Sequence, residues 1–526
     1  MTDENIKLFG KKCNINLIGS DKYTLLELYH MANKVKLITT RHNYNQLCKG
    51  LNEYFVKNGI ENETDLERHI PKVITIISEP STRQIGENKD LDILFNSNPD
   101  DFLKIVQYFQ NLKKYSQYII RIGSNSSNGF IRKLQYLVNK QSYSIILKMN
   151  QTANSDSLVY EYLVGQCINE YSRFYPIFAR TYMIGLFNNE STYSTFKEIP
   201  KDIRLKNPFD FFIKHLSIDN IQNMINIGCQ SNEHLALFTQ HIPLTESLED
   251  FLKKISSKIP IFNYYIVEDK FNEQLYNLTI ILHMIYQSLS SFAYMFTHYD
   301  LHLNNVGLIR VPDNKFIHVI YHYPDGRTVH YNTIYIPIII DYGRCFINCQ
   351  QLNHLKSNSK EIMKNVCSND HTHKPTIGNC KNVCGNETGY QFATNYDIKK
   401  DLFEHTSYLK YYIDYTRKNI SHDCRLLNEI RIRYDFNFLN ENIFIAPKLK
   451  EFFSKLHSMD LRMGTHEIEF SSKSETIDNV IMAASKLTQI ISEPKFNIIN
   501  NEYMNSRTLY GTLQIWTDLS RPFVFN

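Results

Sequence analysis

The residues best suited to chemistry lie in one octet, His298-Tyr299-Asp300-Leu301-His302-Leu303-Asn304-Asn305. In it a carboxylate precedes an amide by five positions, just after a long apolar segment. Thirty-six residues beyond Asn305, the run Tyr335-Ile336-Pro337-Ile338-Ile339-Ile340 leads into Asp341-Tyr342-Gly343, an acid at the end of an apolar strand followed by a flexible glycine. Phosphoryl transfer needs such a set. One carboxylate orients the acceptor hydroxyl and takes its proton, while an amide oxygen and a second carboxylate hold Mg²⁺ on the phosphates.

These groups need elements to position them. Residues 117–123, 131–138 and 143–149 are short, β-branched or aromatic, and read as successive strands. Residues 157–170 read as a helix, 235–242 as another strand, and 275–296 as a long helix buried on most of its face. After residue 242 the pattern turns mostly helical. A strand-rich segment with one helix therefore precedes a helix-rich one, an α+β order that suggests two lobes with a cleft between them. The third strand ends in Ile145-Ile146-Leu147-Lys148. On the next helix, Glu161 is flanked by apolar residues and needs a cationic partner. Lys148 is the natural one; Glu170, near the helix end, is the rival carboxylate.

The octet resembles the protein-kinase catalytic loop H-R-D-L-x-x-x-N, and Asp341-Tyr342-Gly343 resembles the kinase D-F-G. The resemblance covers about residues 118 to 345. It implies a bilobal kinase-like fold, with Asp300 as catalytic base and Asn305 and Asp341 as Mg²⁺ ligands. Gly123-Ser124-Asn125-Ser126-Ser127-Asn128-Gly129-Phe130 is similar to a glycine-rich phosphate-covering loop, which would put Gly123 and Gly129 at the nucleotide. It lacks the middle glycine, and its outer glycines stand one residue too far apart. Lys148 matches the kinase lysine that binds phosphate oxygens and pairs with a helix glutamate, here Glu161. By chain order, Phe238-Thr239-Gln240-His241 would be the adenine-reading hinge, with Gln240 at the cofactor. Asp423, in His422-Asp423-Cys424-Arg425, would be the buried acid that braces the catalytic loop.

The departures also carry meaning. Tyr299 stands where many kinases have the arginine that pairs with a phosphorylated activation loop. His302 replaces a common lysine, and Asp-Leu-His also looks like small-molecule phosphotransferases of the same superfamily. No A-P-E follows; the nearest string is Ala446-Pro447-Lys448. The interval between Asn305 and Asp341 is long, and an extra hairpin around Pro324-Asp325-Gly326 explains it. The Asn/Ile/Tyr bias, Tyr160-Glu161-Tyr162-Leu163-Val164-Gly165 and Asp518-Leu519-Ser520-Arg521-Pro522-Phe523 look like the kinase-like proteins of large nucleocytoplasmic DNA viruses. That likeness implies a host-cytoplasmic or virion setting.

The chain has 526 residues, enough for two or three compact units. They are expected as a helical N-terminal extension over 1–95, a kinase-like N-lobe over 96–242, and a C-lobe with a divergent activation segment over 243–526. The extension carries two helical patterns, 24–35 and 44–59, and a further helix is expected over 99–115. The formal net charge of +4 is too small for a dedicated nucleic-acid binder. No stretch approaches the roughly 20 apolar residues of a membrane helix. Ten cysteines without a secretory signal suggest reduced thiols and an intracellular home. Several crowd the segment after Gly343, where Cys367, His371, His373, Cys380 and Cys384 form a candidate structural Zn²⁺ set; unligated thiols are the alternative. The expected activity is ATP- and Mg²⁺-dependent transfer to Ser/Thr of a protein substrate. The alternatives are a small-molecule hydroxyl kinase or an inactive pseudokinase scaffold or virion protein.

Overall fold

The structure, a computed structural model, describes residues 7–8, 11–12, 44–59, 117–122, 129–138, 141–151, 157–187, 189–198, 203–205, 212–215, 227, 232–242, 246–257, 268–348, 418–433, 444–456 and 476–526. The chain divides into two compact units, Met1–Glu87 and Asn88–Asn526. In the first, β1 (Lys7–Leu8) pairs antiparallel with β2 (Lys11–Lys12), and α1 spans Tyr44–Asn58. Leu51 and Phe55, four positions apart on α1, are buried. Gly59 ends the helix with φ +66°, the left-handed conformation that glycine adopts without a Cβ clash. The helices expected over 24–35 and 99–115 lie outside the described residues.

The second unit opens with an antiparallel sheet in the order β7-β3-β4-β5-β9-β6-β8. Its strands are β3 (Gln117–Ile122), β4 (Gly129–Val138), β5 (Gln141–Asn150), β6 (Thr181–Phe187), β7 (Ile203–Leu205), β8 (Phe212–His215) and β9 (Leu235–Gln240). Register divides the central strands into two faces. Phe130, Arg132 and Leu134 lie opposite Met149, Leu147 and Ile145, all buried. Helix α3 (Glu190–Glu198) covers that face: Tyr193 meets Phe130 at 6.0 Å between ring centroids, and the Arg132 guanidinium donates to the Phe196 and Lys197 carbonyls at 2.9 and 2.8 Å. The opposite face carries Ile131, Lys148 and Leu237 in one cross-strand row, and Lys133, Ile146 and Thr239 in the next.

Helix α2 (Leu158–Tyr171) starts at Ser157, whose hydroxyl accepts the Tyr160 amide. Its apolar residues occupy nearly every face, which suits a helix buried almost all round. It approaches β6 so closely that a Cβ on Gly165 would fall 2.1 Å from the Thr181 hydroxyl oxygen.

The mixed α and β character holds among the described residues, and after residue 242, where a mostly helical chain was expected, strands also take part. Helices α4 (Leu248–Ser257), α5 (Glu268–Ser291), α6 (Arg425–Arg433), α7 (Ile445–Ser454), α8 (Val480–Ile491) and α9 (Pro494–Met504) share that region with three small sheets. One is β10-β12-β15 (Glu246–Ser247, Val306–Arg310, Tyr335–Ile339) and another pairs β11 (Phe296–Thr297) with β16 (Phe346–Ile347). The third has the order β14-β13-β17-β18. Its hairpin, β13 (Lys315–His322) and β14 (Thr328–Thr333), is the one expected around Pro324-Asp325-Gly326, with Gly326 at φ +84°. Strand β17 (Thr508–Trp516) runs parallel to β13, and β18 (Val524–Phe525) pairs with β17. Among the described residues no helix is long and apolar enough to cross a membrane. Cys345 and Cys424 are buried free thiols. Cys167 is disulfide-bonded, where reduced thiols rather than a disulfide framework were expected.

Candidate active site

Two strands of one sheet set the frame. β12 begins immediately after Asn305 and pairs antiparallel with β15, placing Val306 opposite Ile339. The Ile340 amide then donates to the Asn305 carbonyl at 3.0 Å, so Asn305 and Asp341 emerge side by side at the same end of the sheet. Asp341 adopts φ +70° and Tyr299 φ +60°. Neither is glycine, so each position costs on the order of 1–2 kcal/mol and persists only because its surroundings enforce it.

Those surroundings are dense. The Tyr342 hydroxyl shares its proton between the carbonyls of Ile339 and Ala179, at 2.8 and 2.9 Å. Ile177 and Ala179, beyond α2, flank Ile339 with further backbone bonds of 2.7 and 3.1 Å. The buried His298 imidazole donates from Nε2 to the Ile340 carbonyl at 3.0 Å, and burial lowers its pKa. Asp423 is 3% exposed and accepts the amides of His298 and Tyr299 at 2.8 and 3.0 Å. The acid singled out to brace the octet thus lies against its backbone. Burial pushes the Asp423 carboxyl up to about 6, against the favourable pull of His298 and the two amides.

Lys148 reaches across the open face of the sheet. Its Nζ lies 2.8 Å from Glu161 Oε2, 3.0 Å from Glu161 Oε1 and 2.7 Å from Asp341 Oδ1. Burial draws the lysine pKa down, but the Asp341 and Glu161 carboxylates outweigh it and hold the ammonium well above its usual range. In turn, lost hydration would raise the Asp341 carboxyl, and Lys148 overrides it to hold the group well below the ordinary range. Glu170, the rival for Lys148, pairs instead with Arg173 at 3.0 Å. Gly343 sits where a Cβ would come 3.2 Å from Glu161 Oε2, so glycine lets the turn after Asp341 pass close to the ion pair.

Asp300 lies between two arginines, with the His302 ring nearby. Arg425 Nη1 donates to Oδ1 at 2.9 Å, Arg344 Nη1 lies 3.7 Å from Oδ2, and His302 Nε2 is 3.8 Å from Oδ1. Burial would raise its pKa; Arg344 and Arg425 more than offset this and lower it. Asn305 Nδ2 donates to the Asp300 carbonyl at 2.9 Å, closing the loop between the two residues.

Lys148, Glu161, Asp300, Asn305 and Asp341 therefore converge through a linked set of contacts. Gly129 opens β4, where a Cβ would fall 2.5 Å from the Met149 carbonyl oxygen, so it serves strand pairing. Gly123 and the rest of its loop lie outside the described residues, as do Cys367, His371, His373, Cys380 and Cys384. Gln240 is committed to Arg180: its amide donates to the Arg180 carbonyl at 2.8 Å, and its side-chain oxygen accepts the Arg180 amide at 3.1 Å. A base bound there would have to be read by other groups of the segment. Sequence reasoning assigned no role to Arg344 or Glu429, and quoted Arg425 only as a neighbour of Asp423. The available signal was a pair of opposite charges one helical turn apart, Arg425 and Glu429, just after Asp423.

No protein-family model matches the sequence, and no curated protein matches it.

Proposed function

We propose that the chain is an ATP-dependent phosphotransferase with a bilobal kinase-like fold, acting on Ser/Thr hydroxyls of protein substrates. The observation that carries this reading is the Lys148 ammonium held between Glu161 and Asp341, with Asn305 beside Asp341 and Asp300 on the same loop. A structural ion pair needs two partners. Five polar groups from a strand, a helix and two loops converging beside an open sheet face suit a triphosphate and its metal better.

The donor set fits Mg²⁺. Asp341 offers a carboxylate, and Asn305 has spent its amide nitrogen on the Asp300 carbonyl, so an incoming cation would meet its oxygen. The metal, when bound, neutralises charge on the transferring phosphates. Lys148 would bind phosphate oxygens while Glu161 keeps its ammonium in place. Ile131 and Ile146, on the same face as Lys148, would cover the base with apolar surface. Asp300, ionised at neutral pH, would orient the acceptor hydroxyl and accept its proton.

The test is incubation with Mg²⁺ and γ-labelled ATP, offering generic protein substrates beside a panel of small hydroxyl compounds. Label on protein Ser or Thr, lost in Asp300→Asn, supports the reading. Label only on a small compound moves the acceptor class. No transfer to any acceptor overturns it.

A further inference from the structure

One short stretch grips the whole octet. Asp423 lies in the turn before α6 and accepts the amides of His298 and Tyr299. Arg425, the first residue of α6, bonds the Asp300 carboxylate at 2.9 Å. Glu429, one helical turn on, accepts the Leu303 amide at 3.1 Å. Three of these four bonds fix backbone; only the Arg425 bond fixes a side chain that would touch substrate. Its side chain is 4% exposed, on a helix whose first turn is buried, so it has little freedom to swing.

We infer that Arg425 is a positioning residue for the phosphoryl transfer proposed above, fixing the rotation of the Asp300 carboxylate so that it meets the acceptor hydroxyl in one orientation. This rests on that reading. A carboxylate has a soft final torsion, and backbone bracing by Asp423 leaves it unset. A charge-assisted bond from a fixed guanidinium sets it. Arg344, at 3.7 Å from the other oxygen, adds attraction at a distance beyond a hydrogen bond and defines the angle less well.

The experiment measures kcat and the KM for Mg·ATP in wild type, Arg425→Gln, Asp300→Asn and the double variant, with Arg425→Lys and Arg431→Gln alongside. Arg431 sits on the same helix and bonds the Leu456 carbonyl and Asn428, so its loss reports helix stability alone. Arg425→Gln should lower kcat by about 10- to 100-fold, as misplacement of a reacting group does, with KM for Mg·ATP within about twofold. Arg425→Lys, which keeps a charge, should recover part of kcat and stands in if the glutamine variant fails to fold. In the Asp300→Asn background the Arg425 change should cost nothing further, because it acts through Asp300. Wild-type-like kcat in Arg425→Gln, an equal loss in Arg431→Gln, or additive losses in the double variant overturn the inference while the phosphotransferase reading stands. An inactive wild type overturns both.

Discussion

At Asp300, Arg344 and Arg425 hold the carboxyl below its ordinary range, so no protonation limits it near neutrality. Asp300→Asn keeps the shape and removes the proposed proton acceptor. Transfer should fall about 100- to 10 000-fold while Mg·ATP binding survives; near-normal turnover would remove Asp300 from the role. Asp341→Ala takes away the proposed metal ligand and one of the two carboxylates on Lys148. In a thermal-shift titration its stabilisation by Mg·ATP should be largely lost, and a shift equal to wild type would contradict the assignment. Tyr299 is neutral, fully buried and packed 4.7 Å from the His422 ring, so it offers no charge to a phosphorylated loop. Phosphatase treatment should leave the rate unchanged, and abolition of activity would show a phosphate-dependent switch elsewhere. Some of this scale was legible in sequence. Glu161 could be preferred to Glu170 because apolar neighbours forced it to seek a cation. The Arg425 bond to Asp300 was not, because 125 positions separate the partners and only the fold brings them together.

Among elements, α5 is tied to its neighbours by a wholly buried histidine. His283 Nδ1 lies 3.1 Å from the Tyr331 hydroxyl on β14, and Nε2 lies 3.2 Å from the Thr488 hydroxyl on α8. Burial lowers its pKa to about 3. The unfolded chain takes up this proton near pH 6.5 and the folded chain does not, so the folded state loses stability as pH falls from about 6.5 towards 3. The slope from this one group is about 1.4 kcal/mol per pH unit. In His283→Gln the stability curve measured by denaturant between pH 7 and 4 should be shallower by about one proton, whatever its absolute height. An unchanged slope would mean the imidazole is protonated in the fold. Elements were legible where periodicity was local: the three strands leading to Lys148, the helix of Glu161, and the hairpin around Gly326. β17 escaped although its burial alternates along Thr508–Trp516. Its partner β13 lies far upstream, and a parallel pairing across such a distance leaves no local signature.

For the second unit as a whole, distant parts of the chain support the helix that carries Glu161. The Phe523 amide donates to the Arg173 carbonyl, just beyond α2, at 3.0 Å. Ser291, at the end of α5, donates to the Thr517 carbonyl and bonds the Tyr175 hydroxyl. Phe523 itself is 1% exposed. Phe523→Ala should cost about 3–5 kcal/mol of stability. It should also raise the KM for Mg·ATP, because the segment after α2 loses a support. A variant that loses stability with KM unchanged would show that the contact does not reach the ion pair.

The parallel pairing of β13 with β17 also fixes an order of events at the ribosome. β13 and β14 can close as a hairpin soon after they are made, but the other flank of β13 stays bare until residues 508–516 have been synthesised. At about 5–20 residues per second that interval lasts roughly 10 to 40 seconds. Through it, Ile317, Val319 and Tyr321, all fully buried in the finished fold, belong to a strand with an open edge. The nascent chain therefore carries an adhesive edge after β13 and β14 have been made and before β17 emerges, a window in which holdase chaperones would act.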